Sequence, residues 1–173
     1  VYMQLSFRTP KLTTKTWVSL AVFMAMDLVL RRFSFGTSFV KIGPAFIATI
    51  LMAYYLGPWI AAVGAMLCDQ INVLIFSPGV NFLGFTLTAI VAAIIYGLFF
   101  SQKPVRLWRV ALAVLAVTIL CNVLMNTLWL QMMGTPWQGI IVVRLIKDAI
   151  VYPIQVAVSY AVLKGVARIK PTL

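Results

Sequence analysis

Apolar residues fall into six runs along the chain, at about 16–30, 42–56, 59–76, 82–100, 107–133 and 139–167. Each is too long for an ordinary buried strand and holds few charges. That pattern predicts helices that cross a bilayer, where about 20 apolar residues span the hydrocarbon. The first two runs are short, and thinning of the bilayer, snorkelling flanks or shielding by neighbours lets such helices span. Turn residues punctuate the chain at Gly57-Pro58, Ser77-Pro78-Gly79, Lys103-Pro104 and Gly134-Thr135-Pro136. Connections this short make consecutive helices antiparallel neighbours. The expected fold is an all-α integral membrane protein of six transmembrane helices, one domain over 1–173. No linker, low-complexity stretch or internal repeat divides it, so an inverted-repeat carrier is not expected.

Composition supports lipid as the solvent. The 173 residues are 63% hydrophobic and 10% charged, with a mean hydropathy of +1.04, against about 25% charged in soluble domains. A net charge of +11 raises the question of nucleic acid. The 14 Lys and Arg form no basic face or aromatic ladder and sit mostly at the ends of apolar runs, so no nucleic-acid partner is expected. Six spans place both termini on one side with Arg8, Lys11, Lys15, Lys103, Arg106, Arg109, Lys164, Arg168 and Lys170, whereas the opposite loops hold only Arg31, Arg32 and Lys41. Cytoplasmic loops carry the excess of cations, so both termini are expected in the cytoplasm. The polar, basic segment 1–15 is followed by no small-residue cleavage site, and the first run is expected to stay in the membrane. Cys68 and Cys121, far apart and inside apolar runs, read as small buried hydrophobes.

The exceptions to the charge rule carry the chemistry. Arg31, Arg32 and Lys41 share one outer loop with Phe33, Phe35 and Phe39; they either collect an anion or mark a helix end whose dipole favours cations. Arg144, Lys147 and Asp148 lie five to nine residues into the sixth run, about 7–13 Å deep. Ionisable groups at such depth face a protein interior or a water-filled cavity. Asn122, Asn126 and Trp129, at i, i+4 and i+7 in the fifth run, share a helix face, with Asn126 and Trp129 at about the depth of Arg144 and Lys147. Together they can offer a solute cations for carboxylates, amides for a heterocycle edge, and Trp129 or Trp137 for stacking. The alternative is structural: an Arg144–Asp148 pair at i, i+4, with the asparagines joining helices. Asp27 and Asp69 could also meet a cation across helices.

The chain has no His, no paired-carboxylate motif, no Gly-x-Ser-x-Gly and no Gly-x-x-x-x-Gly-Lys-Ser/Thr. Hydrolysis, metal chemistry and ATP binding lack their parts, so neither an enzyme nor a resident metal or cofactor is expected. Energy for uphill transport then has to come from a partner or an ion gradient.

Six phrases bear on a family: Phe33-Ser34-Phe35-Gly36, Lys41-Ile42-Gly43, Gly84-Phe85-Thr86, Asn126-Thr127-Leu128-Trp129-Leu130, Arg144-Leu145-Ile146-Lys147 and Pro153-Ile154-Gln155. In order and spacing the chain resembles the folate-specific S components of energy-coupling factor (ECF) vitamin transporters. The resemblance implies a multi-pass subunit of a bacterial cell membrane that binds folate or a related anionic vitamin. It implies assembly with a membrane coupling protein and two cytoplasmic ATPases, which use the ATP, and delivery by tipping in the membrane. Carried over residue by residue, the binding positions are Phe33, Lys41, Asn126, Trp129, Arg144 and Lys147. Ala21 and Ala25 match the family's Ala-x-x-x-Ala docking motif, a spacing that Ala61 and Ala65 also have. Asp148 stands where an uncharged residue is expected. The competing readings are an S component for pantothenate or riboflavin, and an assembly protein with no small ligand.

Overall fold

The computed structural model describes residues 13–36, 41–76, 82–101, 104–134 and 137–168, with the backbone alone at 35–36, 41–42 and 137–140. The side chains of Phe35, Phe39, Lys41 and Trp137, the terminal cations Arg8, Lys11 and Lys170, and the turns at 77–79, 103 and 135–136 lie outside the described residues.

Helix α1 runs Thr14–Arg32 and starts at a capping box in which Thr13 and Thr16 satisfy each other's first-turn groups. After it, strands β1 (Phe35–Gly36) and β2 (Lys41–Ile42) pair antiparallel, Phe35 opposite Ile42. Helix α2 runs Phe46–Ile71 and continues as a π-helical segment, Asn72–Phe76. Helix α3 is Leu83–Phe100. Helix α4 (Leu107–Val117), a π-helical segment (Thr118–Met125) and α5 (Asn126–Met132) follow without a break and form one rod. Helix α6 runs Trp137–Arg168. Apart from the two short strands and the turns, the described residues are helical. Three stretches, Phe46–Ile75, Leu83–Phe100 and Leu107–Met132, are long and apolar enough to cross a membrane.

Helix α2 joins two of the expected runs, but it is not a straight helix. Gly57 stands inside it at φ 78, ψ 177, a backbone region open essentially to glycine. Twelve residues of straight helix would hold Met52 and Gly64 about 18 Å apart. In the structure a Cβ on Gly64 would meet Met52 Sδ and the Leu20 side chain. The stretch after Gly57 therefore lies back alongside the stretch before it, as the Gly57-Pro58 turn leads one to expect. Gly97 of α3 presses on this turn, since a Cβ there would overlap the Pro58 backbone.

The core centres on α2 and draws in every other helix except the short α5: Leu20, Met52, Leu56, Ala61, Ala65, Tyr96, Val110, Val114 and Leu163 are all buried. Two polar ties fasten α6 to it. The Tyr152 hydroxyl donates to the Ala111 carbonyl at 3.1 Å, and Gln155 Nε2 donates to the Tyr96 hydroxyl at 3.4 Å. Cys68 and Cys121 are buried free thiols. On α1, Val18, Val22 and Val29 are more than half exposed, an apolar surface that suits lipid or a membrane partner.

Candidate functional site

The first turns of α3 carry small and hydroxyl side chains in an otherwise apolar helix. The Thr88 hydroxyl donates to the Gly84 carbonyl one turn back, at 3.1 Å, which satisfies its proton inside the helix. Its lone pairs then accept from Trp129 Nε1, 2.9 Å away on α5. Phe82 sits against the same indole, ring centroids 5.7 Å apart and planes tilted by 55°. Gly84 makes this approach possible, because a Cβ there would stand 2.6 Å from Trp129 Cδ2. The indole, Phe82, Gly84, Thr86, Leu87 and Ile90 line an open, mostly apolar cleft of about 650 Å³ between the start of α3 and the end of α5.

A charged chain runs behind one wall of this cleft. Arg31 Nε donates to Asp27 at 2.6 Å and Arg31 Nη1 to Asp69 at 3.3 Å. Asp69 accepts from the Thr86 hydroxyl at 2.8 Å, and Gln70 Nε2 donates to Thr86 at 2.6 Å. Thr49 reaches the other Asp27 oxygen at 3.5 Å. Arg31 is thus turned into the bundle to join α1 to the second half of α2 through Asp69, while Asp27 joins α1 to the first half through Thr49. Arg31 does stand in the last turn of α1, as the helix-end reading has it, and Asp69 meets this cation across helices, as the sequence allowed; the Arg31 side chain is engaged by acids and not by a solute-collecting loop. Two buried acids hold it more strongly than solvent would.

Arg144 is 7% exposed, and its Nη1 donates to the Asn122 carbonyl at 2.9 Å. That carbonyl is made available by the π-helical segment. The Asn126 amide reaches back five residues, to Cys121, and a return to four-residue spacing passes over one carbonyl, at Asn122. The guanidinium therefore meets the rod seven residues before Trp129, about 10 Å further along it.

Asp148, the partner that the structural alternative gives Arg144, is near enough to act on it electrostatically, and its close partner is Lys147. Asp148 Oδ1 pairs with Lys147 Nζ at 2.6 Å, with the two side chains 6% and 17% exposed. Asp148 Oδ2 and Asn126 Oδ1 are buried without a hydrogen-bond partner among the described residues. Phe33, at the end of α1, is 57% exposed, and the backbone of Lys41 lies in β2. Ala21 and Ala25 are exposed on α1. Ala61 and Ala65, at 0% and 4%, are core, so of the two matches to the small-residue spacing only the first faces outward.

The profile of the family described as "ECF transporter, substrate-specific component" matches residues 15–163. The chain belongs to this family. Two relatives described as folate transporter FolT are similar over most of their length. That of Leuconostoc mesenteroides is 38% identical, with 90% of this chain and 88% of the relative covered. That of Clostridium novyi is 39% identical, with 88% and 90% covered. A solved structure described as FolT bound with folic acid superposes with a TM-score of 0.84 at 37% identity, over 88% of this chain and 95% of that one. This ECF substrate-specific component is accordingly a multi-pass membrane protein and a transporter subunit. Of the six binding positions expected from its sequence, Trp129 lines the cleft, Arg144 and Asn126 are inside the bundle, and Lys147 is bound to an acid. Thr88 and Phe82 were not anticipated. The only signal for Thr88 is a hydroxyl in an apolar run, and for Phe82 an aromatic residue just before a helix.

Proposed function

We propose that this chain captures folate, or a closely related anionic vitamin, from outside the cell as the binding subunit of an ECF importer. The observation that carries the reading is the fixed Trp129 indole facing a cleft, on the same rod that receives Arg144. An aromatic face for a flat heterocycle and a buried cation for a carboxylate are what a pterin with a glutamate tail requires. The folate transporters among its relatives support the same ligand. In this reading Phe33 and Lys41 close the first outer loop over the vitamin, and Asn126, Trp129, Arg144 and Lys147 hold it.

The chain crosses the membrane six times with both termini in the cytoplasm. Support comes from the fold-back of α2 at Gly57 and from the excess of cations on one set of loops. Ala21 and Ala25, outward on α1, take the membrane coupling protein; close helix approach at small residues supplies association energy in lipid. Two cytoplasmic ATPases hydrolyse the ATP, this subunit having no ATPase of its own, and the subunit delivers its vitamin by tipping. Native mass spectrometry of the protein purified from folate-replete cells tests the ligand. A retained folate mass is expected; a different retained vitamin, or a protein that never carries one under mild conditions, contradicts the assignment.

A further inference from the structure

We infer that Thr88 is the residue that positions Trp129 for ligand stacking, acting through the indole N–H and not by touching the ligand. The inference rests on the reading above that the Trp129 cleft receives the vitamin's ring. An indole on a helix end has two side-chain torsions free to move, and a stacking surface is useful only when its plane is fixed. Three contacts fix this one. Thr88 accepts its N–H at 2.9 Å. Gly84 lets the helix backbone close to within van der Waals reach, and Phe82 packs at 5.7 Å. Of the three, the Thr88 hydroxyl makes the directional one, a hydrogen bond to the ring N–H. Its own proton is committed to the Gly84 carbonyl, so a lone pair is what it offers the indole. Thr88 is 8% exposed, so little water can replace it.

The test is a double-mutant cycle in folate binding, with Thr88→Val, Trp129→Phe and the two combined, all in the detergent-solubilised subunit. Valine keeps the shape and removes the acceptor; phenylalanine keeps an aromatic face and removes the N–H. Thr88→Val is expected to weaken binding about tenfold in the parent, as for an unsatisfied buried donor, and to change little in the Trp129→Phe background. Thr88→Ser, which restores the acceptor, recovers most of the loss. Equal losses from Thr88→Val in both backgrounds overturn the inference and make Thr88 a packing residue. A second readout needs no ligand: the indole N–H resonance of Trp129, assigned by its absence in Trp129→Phe. It should shift in Thr88→Val and return in Thr88→Ser. A resonance indifferent to both substitutions refutes the positioning role. A parent that binds no folate but shows the expected shift instead refutes the folate reading and leaves the Thr88–Trp129 link standing. Should Thr88→Val fail to fold, Gly84→Ala probes the same ring by pushing on it. It is expected to lower affinity in the parent and much less with Trp129→Phe; equal losses there also overturn the inference.

Discussion

At the scale of single residues, the three acids of the chain all appear among its ion pairs. Asp27 and Asp69 share Arg31, and Asp148 holds Lys147. Removing one member of a buried pair strands the other. Lys147→Ala is therefore expected to lower stability by roughly 3–5 kcal/mol, read as thermal unfolding in detergent, and Lys147→Ala with Asp148→Asn to recover most of it. No recovery would mean that Lys147 stabilises through something other than Asp148. Arg144→Ala is expected to weaken folate binding by about 2–5 kcal/mol, and a folded variant with parental affinity would remove Arg144 from the site. The cluster itself was legible in the sequence, because charges deep in an apolar run are conspicuous. Its pairing was not. Helical spacing allows Arg144–Asp148 but does not show that Arg144 also reaches the Asn122 carbonyl or that Asp148 Oδ1 takes the adjacent Lys147.

Among the elements, the apolar runs map closely onto the helices, since a helix in lipid has to satisfy its own backbone and the run length reports the span. The irregularities are what periodicity hides. The π-helical winding of Thr118–Met125 shifts the phase of Asn122 against Asn126 and Trp129. A pattern counted at 3.6 residues per turn puts all three on one face; the structure adds a contact that such a pattern does not register, Arg144 on the Asn122 backbone carbonyl, while the Trp129 side chain meets α3. Gly57 was legible as a turn beside Pro58, and its φ of 78 gives that reading a mechanism. Gly57→Ala should cost about 1–3 kcal/mol, the range for a side chain forced into such a region. Thermal unfolding of the purified variant measures it, and parental stability would show that the fold-back does not depend on this backbone conformation.

For the whole molecule, the surfaces proposed for capture and for docking lie apart. The cleft lies between α3 and α5, while Ala21 and Ala25 face outward from α1 and their competitors Ala61 and Ala65 are sealed in the core. Bulk on the first pair should block the coupling protein and spare the vitamin. Ala21→Trp with Ala25→Trp is expected to abolish ATP-driven folate uptake in vesicles while the isolated subunit keeps its affinity within a few-fold. Undiminished uptake by the well-folded variant would contradict docking at this face. The family could be read from six short phrases, since each fixes a residue type at an ordered position. Which cation answers the vitamin could not, because that depends on rotamers and winding. The central claim, that this subunit alone binds folate, is tested most directly by titration calorimetry of the detergent-solubilised protein, without ATP or partners, against folate, pantothenate and riboflavin. The account predicts saturable one-to-one binding of folate and no comparable heat from the other two; silence with folate alongside clear binding of either competitor would contradict it.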